Sequence, residues 1–576
     1  MNSNSVLRIR ILLGLVCIWA LVLIGRLYHI QIINGEKYIE IADNQYTKPA
    51  NSVFERGSIL FESKSGARVS TATVKEGYTL VMNPKIINNR EATYETLSQY
   101  IKLDKENFLE KASKIDDQHE ELAKKLDRAT GIAIGELDLL GIDVYKENWR
   151  VYPGGSLASH TIGLVGFDKK NDLAGRYGLE RYYENILNLK GKNLNVNFFA
   201  ELFGDIKGGA DNSIFNGQKK EGDIIATIDP TVQNELEKIL KETHNTWKSD
   251  SIGGIIMDPN TGMIYAMASR PTFDPNNLKD VSDPNIFSNP LIENVYEMGS
   301  ILKPLTMAAG IDSGAVTPDS TYEDKGSLLL NTKTISNFDG KARGVVSMQE
   351  VLSQSLNVGA ATVALRMQRE DFTKYFLSFG LGDVTGIDQP NEQKGLVNNL
   401  KSGRDIEHAT ASYGQGIAFT PIAMVRALSI IANGGLLIRP QIVKEIAYVD
   451  GSTETLSPKA GIRVIQKKTA DEVTRMLIEV VDKAIAKAHP GIHMDRYSIA
   501  AKTGTAQIAD PANGGYYEDR YLHSFFGYFP AYSPRYIVFL YHVYPKGAQF
   551  SSETLTDPFI ELTKFLINYY EIPPDR

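Results

Sequence analysis

The spacing of apolar residues changes along the chain, and each spacing predicts a different kind of element. Near the N-terminus, residues 11–25 read ILLGLVCIWALVLIG, and apolar residues resume after Arg26 as far as Ile33. A helix that crosses a bilayer needs about 17–25 residues of this kind. The run therefore predicts a transmembrane helix over 11–33, in which Arg26 extends its charged end toward the lipid headgroups.

The charges that flank this run predict its orientation. Arg8 and Arg10 precede it, so residues 1–10 are expected to be a short cytoplasmic tail, with the bulk of the chain on the other side of the membrane. The alternative is a cleaved signal peptide. Since no small-x-small cleavage site follows the apolar run, a retained anchor is favoured.

The region from residue 34 to residue 221 has a mixed pattern. The run GYTLVMNP is typical of a strand, and residues 89–128 are charged and predict helices. Within them, EELAKKLDRA places Leu122 and Leu126 one helical turn apart, which predicts a solvated helix. Residues 199–222 are rich in Gly and Lys and predict a connection between domains.

The pattern after this connection is that of an α/β (α+β) domain over 222–576. GGIIMDPNTGMIYAMAS predicts a β-hairpin whose turn is 258–262. ADEVTRMLIEVVDKAIAKAHPG predicts a helix that ends at Pro490, RYIVFLYHVY a buried strand, and DPFIELTKFLINYY a final amphipathic helix. We therefore expect a sheet assembled from both ends of this domain, with helices packed on it.

Composition narrows the possible functions. The chain has 576 residues, too many for one ordinary core, and a net charge of −7 that gives a nucleic-acid partner no electrostatic support. With a single cysteine, Cys17, the chain can form neither an internal disulfide nor a cysteine-based metal site.

Candidate chemistry begins with the segment YEMGSILKPL, in which Ser300 and Lys303 form the one S-x-x-K of the chain. A serine at a helix start is usually only an N-cap. Residues i and i+3 share a helix face, however, so the Lys303 amine can lie against the Ser300 hydroxyl and act as its base. Lysine is a base only when neutral, so its pKa must be lowered by burial or by a second cation.

A second cation is available in YSIAAKTGTAQIA, where Lys502 opens the one K-T-G of the chain. In a strand, Thr503 and Thr505 share a face and suit a carboxylate, while Gly504 lets another backbone come close. Such an edge can accept an extended peptide. Taken alone, the run also fits a plain strand with surface threonines.

A third element is LSQSLNVGAATVAL. Ser355 and Asn357 are two residues apart and do not share a helix face, but both can point into a cleft from a loop before the helix that VGAATVAL predicts. An asparagine there can hold a substrate amide, and a serine can relay a proton. By itself this element is weak evidence.

The order S-x-x-K, S-x-N, K-T-G within one domain resembles that of a class B, monofunctional penicillin-binding protein. The likeness covers nearly the whole chain, and SLNVGAATVALRM with FGLG after it favours the cell-division branch over the elongation branch. Met298 and Leu356 depart from the residues common in the family. Further similar segments are RGSIL (56–60), RVYPGGSLASHTIGLVG (150–166), AGRYGLERYYENIL (174–187), DPNTGMIYAMASRPTFDPN (258–276), SYGQGIAFTPIAMVRALSIIANGG (412–435) and FFGYFPAYSPRY (525–536).

The resemblance implies a membrane-anchored peptidoglycan D,D-transpeptidase that β-lactams inhibit. Its fold would be an antiparallel sheet with helices on both faces, preceded by a pedestal domain over 34–221. Ser300 would attack the D-Ala-D-Ala stem peptide and Lys303 would take its proton, with the oxyanion held by the backbone N–H groups of Ser300 and Thr505. Ser355 and Lys502 would carry the proton to the leaving amine, Asn357 would hold the substrate amide, and Thr503 and Thr505 would hold its carboxylate.

The resemblance also bears on cofactors, partners and location. It implies no cofactor and no metal, and His489 and His493, the nearest approach to a metal pair, are expected to flank a turn. It implies a bacterial cytoplasmic membrane location with the catalytic domain outside, and partners among lipid-linked glycan polymerases of the SEDS type and divisome proteins. The alternatives are an elongation-type transpeptidase, a D,D-carboxypeptidase, a β-lactamase, and a β-lactam sensor or inactive scaffold.

Overall fold

The computed structural model describes Trp19, Leu23 and residues 54–168, 173–189, 221–279 and 281–576. The tail and transmembrane helix predicted over 1–33 lie outside the described residues except for Trp19 and Leu23, which are helical and exposed. Most of the predicted connection over 199–222 lies outside them as well. No helix in the described part of the chain is both long enough and apolar enough to cross a bilayer.

The described residues divide into two units. The first holds Phe54 and Lys75–Trp149, and the second holds Glu55–Val74 and Arg150–Arg576. The strands are β1 (Ile59–Glu62), β2 (Arg68–Met82), β3 (Glu120–Leu126), β4 (Ile142–Val151), β5 (Val165–Phe167), β6 (Leu173–Gly175), β7 (Gly222–Ala226), β8 (Ser251–Met257), β9 (Ile264–Arg270), β10 (Thr321–Asp324), β11 (Ser327–Leu330), β12 (Lys333–Ser336), β13 (Gly344–Ser347), β14 (Leu436–Leu437), β15 (Val443–Tyr448), β16 (Thr453–Thr455), β17 (Ile462–Arg463), β18 (Ala500–Ala509), β19 (Tyr516–Phe529) and β20 (Tyr536–Val543).

The helices lie mainly in the second unit. The α-helices are α1 (Arg90–Leu97), α2 (Lys105–Ala112), α3 (Arg128–Gly135), α4 (Ser159–Ile162), α5 (Gly178–Tyr182), α6 (Glu184–Leu187), α7 (Pro230–Trp247), α8 (Pro290–Glu293), α9 (Lys303–Asp312), α10 (Met348–Ser353), α11 (Asn357–Arg366), α12 (Arg369–Ser378), α13 (Asp405–Ala411), α14 (Pro421–Ala432), α15 (Lys467–Glu479), α16 (Ala486–Ala488) and α17 (Ser551–Tyr569). Shorter turns are the 3₁₀ segments Pro284–Phe287, Gly299–Leu302, Asn398–Lys401 and Pro490–Ile492, and a π-helical turn at Val480–Ile485.

In the first unit, one predicted helix is in fact a strand. Helices α1 and α2 agree with the predicted helical region, but EELAKKL forms strand β3, which pairs antiparallel with β2. Tyr78 lies opposite Leu126 and Leu80 lies opposite Ala123. Glu, Lys, Leu and Ala favour a helix only weakly, by tenths of a kcal/mol per residue, so the pairing with β2 decides the structure.

The second unit contains a five-stranded antiparallel sheet in the order β18-β19-β20-β8-β9. The predicted hairpin forms β8 and β9, and the predicted C-terminal strand forms β20. The sheet is thus assembled from both ends of residues 222–576, as the sequence pattern predicts. A second sheet in this unit includes β1, which runs parallel to β7 and antiparallel to the first part of β2.

Helices cover both faces of the five-stranded sheet. Gly253 and Gly254 of β8 point to opposite faces, and a Cβ added at each would meet Leu291 of α8 and Leu236 of α7 respectively. On β19, Phe525 stacks on Phe559 of α17 at 4.6 Å between ring centroids. Because side chains from helices fill both faces, β20 is buried over almost its full length.

A helical layer stands beside this sheet and carries the nucleophile candidate. All residues of α14 are buried, and it packs against α9, which also contacts α11 and α15. The predicted helix over 470–489 is α15, continued by the π-helical turn and α16, and it ends at Pro490. The position of α9 in this layer fixes Lys303, its first residue, and the 3₁₀ turn before it that contains Ser300.

Candidate active site

Ser300 lies within the 3₁₀ turn Gly299–Leu302 that leads into α9, so it is not an N-cap. Lys303 begins α9, and its Nζ atom is 3.0 Å from Ser300 Oγ. Pro304 follows in the first turn of the helix, where a backbone N–H has no helical partner to lose. The predicted contact between the two S-x-x-K side chains is therefore present.

The S-x-N element reaches the same amine from a neighbouring segment. Ser355 precedes α11 and Asn357 is its first residue. The Lys303 amine donates to the Ser355 carbonyl oxygen at 2.6 Å and to Asn357 Oδ1 at 2.8 Å, and it is 3.2 Å from Ser355 Oγ. The predicted loop position agrees with the structure for Ser355, whereas Asn357 already belongs to the helix as its first residue.

The partners of Lys303 indicate what its amine can do. The Ser355 carbonyl and Asn357 Oδ1 only accept hydrogen bonds, so each takes one N–H from the amine. A neutral amine has two N–H bonds and one lone pair. With both N–H bonds used, the lone pair of the neutral amine is left for one of the two hydroxyls, and the Ser300 hydroxyl is the nearer one. This arrangement suits a base that removes the Ser300 proton.

Burial favours the neutral form of Lys303. The side chain is 1% exposed, and burial first, then the charge of Lys502, hold its pKa well below the ordinary lysine value. Burial lowers the pKa of Lys502 to about 7. Lys502 Nζ lies 3.0 Å from Ser355 Oγ, so the Ser355 hydroxyl stands between the two amines.

The K-T-G segment lies on β18, the edge strand of the sheet. Gly504 packs tightly, because a Cβ built there would lie 2.8 Å from the carbonyl oxygen of Met298, just before Ser300. This is the close backbone approach predicted for that glycine. The Thr505 hydroxyl accepts a hydrogen bond from the N–H of Ser551 at 3.0 Å, and it keeps its own proton to donate to a ligand.

A groove of about 850 Å³ brings the candidate side chains together. Its lining includes Ser300, Ser355, Asn357, Lys502, Thr503 and Thr505. Six of the eight site residues predicted from sequence thus line the groove. Lys303 lies buried beneath it and is hydrogen-bonded to three of them. Gly504, the eighth, has no side chain, which allows the close approach of the Met298 carbonyl oxygen.

Other residues at the groove gave no signal in the sequence. Ser336 holds Asn357 through its carbonyl oxygen, which accepts from Asn357 Nδ2 at 3.0 Å, and any residue type could supply that group. Arg343 and Gln354 also line the groove. Outside the groove lining, Glu297 accepts hydrogen bonds from the Tyr516 hydroxyl at 3.2 and 3.0 Å, and burial raises its pKa.

The two histidines considered as a metal pair flank the turn Pro490–Ile492. His489 lies 3.6 Å from Asp557, and His493 lies 3.0 Å from Asp482. In the described part of the chain, no three His, Cys, Asp or Glu side chains come together in a way that could hold a metal ion.

The fold and the site are those of an α/β domain with a groove where a serine hydroxyl lies against a buried lysine amine. Two family models match the chain. The penicillin binding protein transpeptidase domain matches residues 252–561, and the penicillin-binding protein dimerisation domain matches residues 55–199. The first match covers more than half of the chain, so this chain belongs to the family of penicillin-binding protein transpeptidases.

Individual relatives agree with this family. Stage V sporulation protein D of Bacillus subtilis is 30% identical over 570 residues, which cover 97% of this chain and 85% of that protein. Peptidoglycan D,D-transpeptidase FtsI of Buchnera aphidicola (Schizaphis graminum) is 26% identical over 580 residues, with 98% and 95% covered. Penicillin-binding protein 2X from Streptococcus thermophilus, a solved structure, aligns with a TM-score of 0.73 at 21% identity and covers 90% of this chain and 81% of that one. This last likeness supports the fold.

Proposed function

We propose that this chain is a peptidoglycan D,D-transpeptidase that cross-links stem peptides through an acyl-enzyme on Ser300. The observation that carries the proposal is the environment of Lys303. Its amine lies 3.0 Å from Ser300 Oγ and gives both N–H groups to acceptors, which directs its lone pair to the nucleophile. A hydroxyl needs such a base to attack a carbonyl.

The first half of the reaction follows from these contacts. Ser300 attacks the carbonyl carbon of the penultimate D-alanine while Lys303 takes the Ser300 proton. The backbone N–H groups of Ser300 and Thr505 hold the oxyanion. As the peptide bond breaks, Ser355 and Lys502 deliver a proton to the leaving D-alanine amine, and their 3.0 Å contact supports this route.

Substrate binding uses the edge of the sheet and the S-x-N asparagine. Asn357 holds a substrate amide, and the hydroxyls of Thr503 and Thr505 bind the terminal carboxylate on the open edge of β18. Below pH about 7 the Lys502 ammonium adds a positive charge to this end of the groove.

The second half of the reaction distinguishes the proposed activity from its alternatives. An amine of a neighbouring stem peptide attacks the acyl-enzyme, which forms the cross-link and releases Ser300. A D,D-carboxypeptidase or β-lactamase uses water instead, and a β-lactam sensor only needs to acylate. A β-lactam acylates Ser300 in the same way as the stem peptide and is hydrolysed slowly.

We assign the activity to septal wall synthesis, with wall elongation as the alternative. Relatives named FtsI and Stage V sporulation protein D, each aligned with most of this chain, support the septal assignment. Depletion of the protein in its native host tests it, since loss of septal synthesis gives filaments and loss of elongation gives round cells.

The surroundings of the catalytic region also belong to the proposal. Residues 1–10 form a cytoplasmic tail, 11–33 an anchor in the bacterial cytoplasmic membrane and 34–221 a pedestal, so that 222–576 act on the outer side. The apolar run and the arginines before it support this placement. A lipid-linked glycan polymerase of the SEDS type and divisome proteins are the proposed partners.

A single pair of assays tests the proposed function. Full-length protein in detergent is incubated with a fluorescent penicillin, and wild type is expected to be labelled whereas Ser300→Ala is not. A D-Ala-D-Ala stem peptide is then supplied with a second stem peptide as amine acceptor, and cross-linked product is expected to exceed hydrolysed product. Labelling of Ser300→Ala, or hydrolysis alone, would contradict the proposal.

A further inference from the structure

The backbone of Ser355 has an unusual conformation. Its φ angle is +56°, in the left-handed region, which costs a residue other than glycine roughly 1–3 kcal/mol unless its surroundings hold it there. In this conformation its carbonyl oxygen and its hydroxyl both face Lys303, and the hydroxyl also reaches Lys502. The position of the Ser355 hydroxyl between the two lysine amines therefore depends on the contacts that hold this backbone in place.

A chain of side-chain contacts ends beside Ser355. Asp339 accepts two hydrogen bonds from Arg343, at 2.9 and 2.8 Å, and Arg343 Nε donates to Gln354 Oε1 at 3.1 Å. Gln354 Nε2 in turn donates to Glu350 Oε2 at 2.6 Å. The side chain of Gln354, the residue before Ser355, is thus held from two directions.

The segment that carries Arg343 also contacts the residues after Ser355. The Ser336 carbonyl accepts from Asn357 Nδ2 at 3.0 Å, and Asn337 Oδ1 accepts from the Val358 N–H at 3.2 Å. Residues 336–343 therefore hold the chain on both sides of Ser355. Rigid support of this kind is what a strained backbone conformation requires.

We propose that Arg343 and Gln354 are positioning residues for acyl transfer, which hold Ser355 in its left-handed conformation and so keep its hydroxyl between Lys303 and Lys502. Neither side chain contacts the nucleophile. The inference rests on the proposed function, because it gives Ser355 a part in proton transfer.

The test compares acylation by a fluorescent penicillin in single-turnover experiments on the full chain. Gln354→Leu removes both side-chain hydrogen bonds at similar volume. The maximal acylation rate constant is expected to fall on the order of 10²-fold, the effect of a displacement of about 1 Å. The penicillin concentration that gives half the maximal rate should change by less than about threefold, since the binding groups remain. Arg343→Lys keeps the charge but removes the Nε donor, and it should lower the rate constant in the same way. This variant replaces Gln354→Leu in the test if Gln354→Leu does not fold.

A matched double variant separates positioning from a general structural role. Glu350→Gln combined with Gln354→Glu reverses the direction of the hydrogen bond between these two side chains. The new carboxylate at position 354 can still accept from Arg343, so the double variant should recover most of the acylation rate constant lost in Gln354→Leu. Arg369→Gln is the control: it removes an exposed ion pair with Asp405, 2.6 Å between N and O, and should leave the acylation rate constant unchanged. A wild-type rate in Gln354→Leu, or no recovery in the double variant, would overturn the inference. Wild-type protein that no penicillin labels would instead overturn the proposed function.

Discussion

The chemistry of the site depends on two lysine side chains that solvent hardly reaches. Lys303 is 1% exposed and Lys502 is 2% exposed, and neither forms an ion pair with a described residue. A buried ammonium without a counter-charge is costly, so burial favours the neutral amine. Since each charge also opposes the other, the first proton leaves the pair at a pH far below the ordinary lysine range.

The pH dependence of acylation should show this coupling. Lys502, with its pKa lowered to about 7, is charged below that pH and neutral above it, while Lys303 must be neutral to act as the base. The second-order rate constant for acylation by a penicillin should therefore fall at acid pH as Lys303 gains a proton. It should fall again above pH about 7 as Lys502 loses its charge.

Stopped-flow acylation measured from pH 5 to pH 9 checks this profile. Macroscopic midpoints belong to the lysine pair and not to one residue. A rate constant that continues to rise up to pH 9 would contradict a role for charged Lys502.

At the scale of elements, the site depends on how closely three backbone segments approach. The turn before α9 contacts the edge strand β18, and Gly299, with φ of +63°, would place a Cβ 2.5 Å from the Thr505 carbonyl oxygen. On the other side, the Gly299 N–H donates to the Gly414 carbonyl at 3.2 Å. Glycine at these positions lets the turn that carries Ser300 lie against β18.

Gly504→Ala should separate that strand from the nucleophile turn. The new Cβ would lie 2.4 Å from Ser524 Oγ and 2.8 Å from the Met298 carbonyl oxygen, and the carbonyl belongs to backbone that cannot turn away. The free energy of unfolding should fall by about 1–3 kcal/mol. The acylation rate constant should fall on the order of 10²-fold.

Thermal unfolding and penicillin labelling measure the two effects of Gly504→Ala. Gly403→Ala is the matched control, because its Cβ would meet no atom within 4 Å. Equal behaviour of the two variants would refute the close approach at Gly504.

The elements that sequence predicted correctly are those with strong patterns. β20 is a run of apolar residues and α15 has apolar residues at helical spacing, so burial on the sheet reinforces what each pattern favours. Strand β3 has the opposite character. Most of its charged residues are exposed, its intrinsic preference is helical, and only the partner strand β2 makes it extended.

At the scale of the whole molecule, several buried histidines link stability to pH. Burial lowers the pKa of His160 and of His523 to about 4, and it holds the pKa of His542 well below the ordinary value. His523 Nδ1 and His542 Nε2 both lie within hydrogen-bond distance of Thr554 Oγ1, at 2.8 and 2.9 Å. The native fold of the second unit thus holds these rings neutral.

The protein should become less stable in mild acid. Because the unfolded state binds protons to these histidines from pH about 6.5 downward and the native state does so only near pH 4, stability is lost as pH falls through that window. Between pH 7 and pH 5 the loss should be about 2 kcal/mol for each such histidine.

Urea unfolding at pH 5 and at pH 7 measures the loss of stability. His523→Gln should reduce the difference between the two conditions, whereas the exposed His119→Gln should leave it unchanged. Equal stability of wild type at both pH values would contradict the prediction.

The sequence by itself determined the types of the catalytic groups and most of the elements that carry them. Motif spacing along one helix or strand is local, so Ser300 with Lys303, and Thr503 with Thr505, could be paired from spacing alone. What only the tertiary structure decided is how groups distant in sequence meet. The Lys303 amine donates to the Ser355 carbonyl and to Asn357, and the Ser355 hydroxyl lies within hydrogen-bond distance of both lysine amines. The Ser336 carbonyl accepts from Asn357. These contacts involve backbone atoms, which every residue type has, and a left-handed backbone conformation at a serine. They arise only when separate elements pack together, so the residue types alone do not predict them.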